Sequence, residues 1–262
     1  MLQVGFLGKI TSLLLFGSLI VFLQLNDYLL IGLWGVCACL LYINKQLRPF
    51  LITTFCLGIG FFLYLQVNSR LITELNPKEW HIVLNRLSLI VILIPLLVLS
   101  LAYRLPFMNY WMRPHWNERI GIPFIWSGFR QTKVHYFLFI SLTVVLFSFM
   151  PLVILKGLDH FQEVWLFAIV FSIANLLEEI IWRGALLSRF SEQWGDKWGV
   201  ILTSVGFGLQ HYSLGYSWWI CAAFAVGGVY FGGITVQSKS IVPVLIWHWA
   251  INALMVFSGL VI

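Results

Sequence analysis

Two adjacent acids, two histidines and two amides recur at helical spacing in the second half of this 262-residue chain, inside runs that are otherwise apolar. Asn175, Glu178, Glu179 and Arg183 share one run, His211 ends another, and His248 and Asn252 lie in the last. Ionisable groups in such segments are costly to keep, so each is a functional candidate by default. Glu179 and Arg183 are four apart, which on an α-helix stacks them on one face and lets them form an ion pair. Glu178 then points about 100° away, with no cation on its own helix, as a carboxylate able to take a proton from water. The plain alternative is that both acids close a buried salt-bridge network. A single histidine on an apolar helix is more often a hydrogen-bonded packing residue, but two of them beside two acids weaken that reading. His248 and Asn252, four apart, can direct donors into one small volume, which is what an oxyanion requires. Pro243, shortly before His248, removes a backbone donor and is expected to open the entrance to that volume.

The elements that must position these groups are membrane helices. Hydrophobic residues make up 60% of the chain and charged ones 10%, far below the roughly 25% of a soluble domain. The 13 tryptophans suit a chain with two water interfaces. Apolar segments fall at about 11–25, 28–43, 50–66, 87–103, 136–155, 164–187, 197–212, 217–235 and 241–260. The expected fold is therefore all-α, a polytopic bundle of eight or nine transmembrane helices with no strand pattern. Three regions follow: 1–103, a four-helix part without an ionisable group in its spans; 104–135, basic and rich in Trp, lying in the membrane interface or forming a solvated loop; and 136–262, which holds the unusual chemistry. Lys9 precedes a first helix expected to be retained, since no small-residue cleavage site follows it. Cys37, Cys39, Cys56 and Cys221 lie within apolar runs and read as packing residues. Gly227, Gly228, Gly232 and Gly233 form a small-residue face suited to a close helix neighbour in the core.

The net charge of +6 serves orientation rather than nucleic-acid binding. With the N-terminus cytoplasmic and nine spans, Lys9, Lys45, Arg48, Arg104, Arg113, Arg119, Arg130, Lys133, Arg189, Lys197 and Lys239 fall inside, and Arg70, Lys78, Arg86 and Lys156 outside.

Glu-Glu-x-x-x-Arg at 178–183, Phe-x-x-x-His at 207–211 and His-x-x-x-Asn at 248–252, in that order on successive apolar helices, resemble the motifs of the CPBP family of CAAX prenyl endopeptidases and bacterial Abi proteins. The resemblance spans about residues 135–258. It implies an intramembrane endopeptidase in the cytoplasmic membrane of a bacterium, acting on a membrane-associated protein or peptide within the lipid bilayer. Glu178 would activate water with help from His211, His248 and Asn252 would hold the oxyanion, and Glu179 with Arg183 would support the site. It implies no cofactor. The alternatives are a zinc peptidase with Glu178, His211 and His248 as ligands, although His-Glu-x-x-His is missing, and a non-enzymatic immunity or transport protein using the same polar cluster. Nothing in the sequence fixes the oligomeric state.

Overall fold

Long apolar runs without alternation leave helix as the backbone solution, and the computed structural model, which describes residues 5–73 and 78–261, is built almost wholly from helices. They are α1 (Phe6–Leu25), α2 (Tyr28–Leu41), α3 (Arg48–Val67), α4 (Lys78–Leu87), α5 (Ile90–Ala102), α6 (Val134–Asn175), α7 (Leu177–Glu179), α8 (Leu187–Trp194), α9 (Asp196–Gln210), α10 (Trp218–Ser238) and α11 (Val242–Phe257). Two π-helical turns, Asn68–Ile72 and Ile180–Leu186, and a 3-10 turn, His211–Leu214, join some of them.

One expectation needs correcting: a two-stranded antiparallel hairpin, β1 (Arg119–Phe124) and β2 (Ser127–Lys133), occupies part of the 104–135 segment. In β1, Ile120, Ile122 and Phe124 alternate and Ile120 is buried, a strand signal too short to stand out among the long apolar runs, while β2 is largely exposed and its Phe129 falls at an irregularity in the register.

Among the described residues, five helical stretches are long and apolar enough to cross a bilayer: Phe6–Leu25, Arg48–Ile72, Glu79–Ala102, Val134–Trp194 and Trp218–Ser238. The eight or nine read from the sequence included shorter segments, among them Tyr28–Leu41 and Val242–Phe257, and divided 136–187 in two. The structure runs Val134–Trp194 together, yet 61 residues far exceed the roughly 20 needed to span the hydrocarbon core. Gly157 breaks that stretch with φ 82° and ψ 174°, a conformation open to glycine and strained for other residues.

The chain divides into two compact units. The first comprises the described residues up to Leu65, then Val91–Tyr110 and Ile181–Gly233. In it α1 packs on α2 and α9, and α8 on α9. Phe16, Phe50, Phe190 and Trp194 form its aromatic core. Gly228 and Gly232 face Ser204 and Val200 of α9, so the small-residue face serves a core neighbour, whereas Gly227 borders open space. Gly208 is closer still: a Cβ there would stand 2.5 Å from the Cys221 carbonyl oxygen of α10. Cys221 is buried, but Cys37 and Cys39 are exposed on α2, contrary to a packing role for all four cysteines.

The second unit comprises Gln66–Ile90, Trp111–Ile180 and Ile234 onward. Here α6 packs along α11 and against α4, with Val164, Ala168, Phe171 and Val256 at the centre and Ile82 beside them. Ser240 Oγ donates to the Met112 carbonyl at 2.6 Å and the His115 N–H to the Ser238 carbonyl at 2.8 Å, tying the strand-bearing segment to the start of α11. Pro243 stands in the first turn of α11, where no intrahelical donor is needed. It starts the helix instead of breaking it, and the entrance-widening role falls away.

Candidate active site

The second unit gathers Glu178, Glu179, His248 and Asn252 from the sequence-derived set and adds Arg86. α11 carries His248 and Asn252 one turn apart on one face, both buried. Where α6 ends at Asn175, the short α7 presents Glu178 and Glu179, which are 1% and 0% exposed. Asn175 Nδ2 donates to Asn252 Oδ1 at 3.1 Å, linking the end of α6 to α11. That bond uses the oxygen of the Asn252 amide and turns its NH2 elsewhere. Asn252 Nδ2 has no hydrogen-bond acceptor among the described residues.

The two carboxylates are distinguished by their neighbours. Arg86 Nη1 donates to Glu178 Oε1 at 2.9 Å, while Glu178 Oε2 stands 4.0 Å from His248 Nε2. Glu179 Oε1 lies 2.8 Å from His248 Nδ1, a close charge contact once the ring is protonated. Arg86 supplies a counter-charge to Glu178, which matters because burying charge without one costs several kcal/mol per ion. A separation of 4.0 Å is one that a single water can bridge, touching both Glu178 Oε2 and His248 Nε2 at ordinary hydrogen-bond distances.

Glu178 was expected to have no cation on its own helix. It has one from another helix, ninety-two positions away, which spacing along its own helix could not reveal. Arg86 lies within the apolar stretch Glu79–Ala102, so the first half does carry an ionisable group in a span. Reading that span from residue 87 placed Arg86 just outside it.

The spacing argument for Glu179 and Arg183 assumed α-helical winding throughout. Over Ile180–Leu186 the backbone is π-helical, with i→i+5 bonding, so a four-residue interval no longer decides which acid Arg183 faces. Arg183 belongs to the first unit and is fully buried there. Its guanidinium lies 4.2 Å from the Phe207 ring centre and 5.2 Å from that of Phe231, and Nη2 donates to the Gly228 carbonyl at 3.4 Å. His211, also in the first unit, follows α9 directly and stacks on Phe224 with ring centres 3.8 Å apart. Its Nδ1 lies 2.7 Å from the Phe207 carbonyl oxygen. A carbonyl can only accept, so Nδ1 carries the proton and Nε2 is the basic nitrogen of the neutral ring.

Among the described residues, no three His, Cys, Asp or Glu side chains are grouped so as to hold a metal ion. The Arg86 guanidinium in contact with Glu178 opposes a cation at Oε1.

The family model of the type II CAAX prenyl endopeptidases, Rce1-like, matches residues 160–254. This stretch is Rce1-like. The Rce1-like stretch takes in every motif residue from Glu178 to Asn252, in agreement with the recognition made from the motifs, and covers less than half of the chain. Arg86 lies before it. The Rce1-like family is one of peptidases. No curated protein and no solved structure matches the chain.

Proposed function

We propose that the chain is an integral-membrane glutamate-dependent endopeptidase cutting a membrane-associated protein or peptide. The observation that carries this reading is the second-unit cluster: a buried carboxylate with one oxygen clamped by Arg86 and the other facing His248, beside an amide donor with no acceptor of its own. Glu178 takes a proton from water as the water oxygen attacks the peptide carbonyl. The oxyanion receives hydrogen bonds from Asn252 Nδ2 and from His248 Nε2, whose protonated ring is charge-balanced by Glu179 at Nδ1. The proton then passes from Glu178 to the leaving amine as the C–N bond breaks. His211, assigned by its motif, supplies a further basic nitrogen, and Arg183 supports its own unit through Phe207 and Phe231. The test is to compare membrane and secreted peptides from wild-type cells and cells bearing Glu178→Ala. A peptide uncut only in the variant names the substrate, and identical peptide profiles refute the reading.

Water activation by a carboxylate requires no metal, so cleavage by purified protein is expected to survive strong chelation. Stoichiometric zinc in active protein, with activity lost on chelation and regained on readdition, would decide for a metallopeptidase.

The orientation proposed from the basic residues puts the N-terminus and the 104–135 segment in the cytoplasm. In a cysteine-free background, a cysteine at position 115 should resist labelling from outside intact cells. Ready labelling there would reverse the orientation.

A further inference from the structure

We propose that Arg86 is the positioning residue of the Glu178 carboxylate, held in place by a brace of Asn68, Asn85 and Ser88. The proposal deepens the peptidase reading and rests on it. A carboxylate turns readily about its last torsion, whose energy profile is broad and two-fold, so burial alone does not decide which oxygen meets the water. The Arg86 contact decides it. With Oε1 engaged by Nη1 at 2.9 Å, Oε2 is the oxygen turned towards His248.

A clamp is only as definite as its mounting, and α4 is mounted from behind. Asn85 and Ser88 are one position before and two after Arg86, offsets that a helix turns away from the Arg86 side. Asn68 Nδ2 donates to Ser88 Oγ at 2.9 Å, Asn85 Nδ2 donates to Asn68 Oδ1, and Ser88 Oγ donates to the Asn85 carbonyl at 2.7 Å. Thr73 Oγ1, donating to the Asn68 carbonyl at 2.7 Å, closes the π-helical turn on which Asn68 sits. One side of α4 is thus tied to the preceding turn while the other delivers the guanidinium to Glu178. The Rce1-like match begins at residue 160 and contains neither Arg86 nor any residue of its brace.

The experiment uses the full-length protein with Arg86→Lys, Arg86→Met, Asn68→Ala, Glu178→Met and the Arg86→Met/Glu178→Met double variant. Thermal unfolding is measured for each, and kcat and KM on folded-matched samples for those that retain Glu178. Arg86→Met should lower kcat by ~10²-fold with KM nearly unchanged, the scale expected when a reacting group is displaced by about 1 Å. Arg86→Lys should restore part of that loss, because an ammonium supplies the charge but not the planar fork. Asn68→Ala leaves both charges in place and should still lower kcat, which keeps the proposal testable if Arg86→Met does not fold. Wild-type kcat in both Arg86→Lys and Asn68→Ala would overturn it. Each single methionine variant should melt lower than the wild type, and the double should recover much of the loss. Additive losses would show that the pair does not form, and overturn the proposal without any activity measurement. A wild type that cuts no peptide while the melting cycle shows recovery would refute the peptidase reading and leave the ion pair standing.

Discussion

Glu178→Gln is expected to lower turnover by ~10²–10⁴ in samples matched for folded protein, because glutamine keeps the shape and can still accept the Arg86 Nη1 hydrogen bond but cannot take a proton. From the sequence alone, stability should separate the two acids, with Glu178→Gln melting normally and Glu179→Gln weakened. The structure removes that distinction. Glu178 answers Arg86 and Glu179 stands 2.8 Å from His248, so either change removes a carboxylate from a buried contact. Breaking a buried pair costs about 3–5 kcal/mol, and a lowered melting point is expected for both variants. Only turnover tells them apart. Glu178→Gln should be nearly silent, while Glu179→Gln should retain measurable cleavage in its folded fraction. An active Glu178→Gln beside an inactive, folded Glu179→Gln would exchange the roles of the two residues.

Asn252→Leu is the second large effect. Removing one preorganised oxyanion donor costs ~10²–10³ in kcat, and leucine keeps the branched outline of asparagine without its polar atoms. Asn175 loses its acceptor in the same step, at a cost of about 1–3 kcal/mol in stability. Kinetics and affinity for a peptide aldehyde, which forms a tetrahedral adduct, separate the two effects. Both should fall together if Asn252 holds the oxyanion. Unchanged kcat and aldehyde affinity with a lowered melting point would reduce Asn252 to a latch between α6 and α11.

What the sequence made legible depended on whether the information was local. His248 and Asn252 are four apart on a regular helix, and their shared face follows from periodicity. His211 at the end of α9 could likewise be placed, because the apolar run stops there. The Glu179–Arg183 spacing was less secure: nothing in Ile180–Leu186 announces π-helical winding, which depends on tertiary packing around the turn. The hairpin at 119–133 escaped because the apolar alternation of β1, Ile120, Ile122 and Phe124, is only three residues long and β2 is exposed. Arg86 was the costliest omission. Charge counting assigned it to an outer loop because the apolar window opens one residue later, and its partner is distant in sequence. The structure carries this span back to Glu79 through α4 and α5, and its polar beginning hid it from the apolar window.

The position of Arg86 also bears on how the chain is made. Ribosomes add about 5–20 residues per second, so Glu178 emerges several seconds or more after Arg86. During that interval the 79–102 segment is offered to the bilayer with a guanidinium whose partner carboxylate, Glu178, is not yet made. Insertion of an arginine is penalised by about 2.5–3.5 kcal/mol at the middle of a span and by less near its end, where the long side chain reaches the headgroups. The segment can enter early only with its arginine stretched towards water, and the guanidinium turns inward when the later helix arrives. Maturation of this protein is therefore expected to include a docking step after insertion, in which the early-made Arg86 meets the carboxylate of the later-made Glu178.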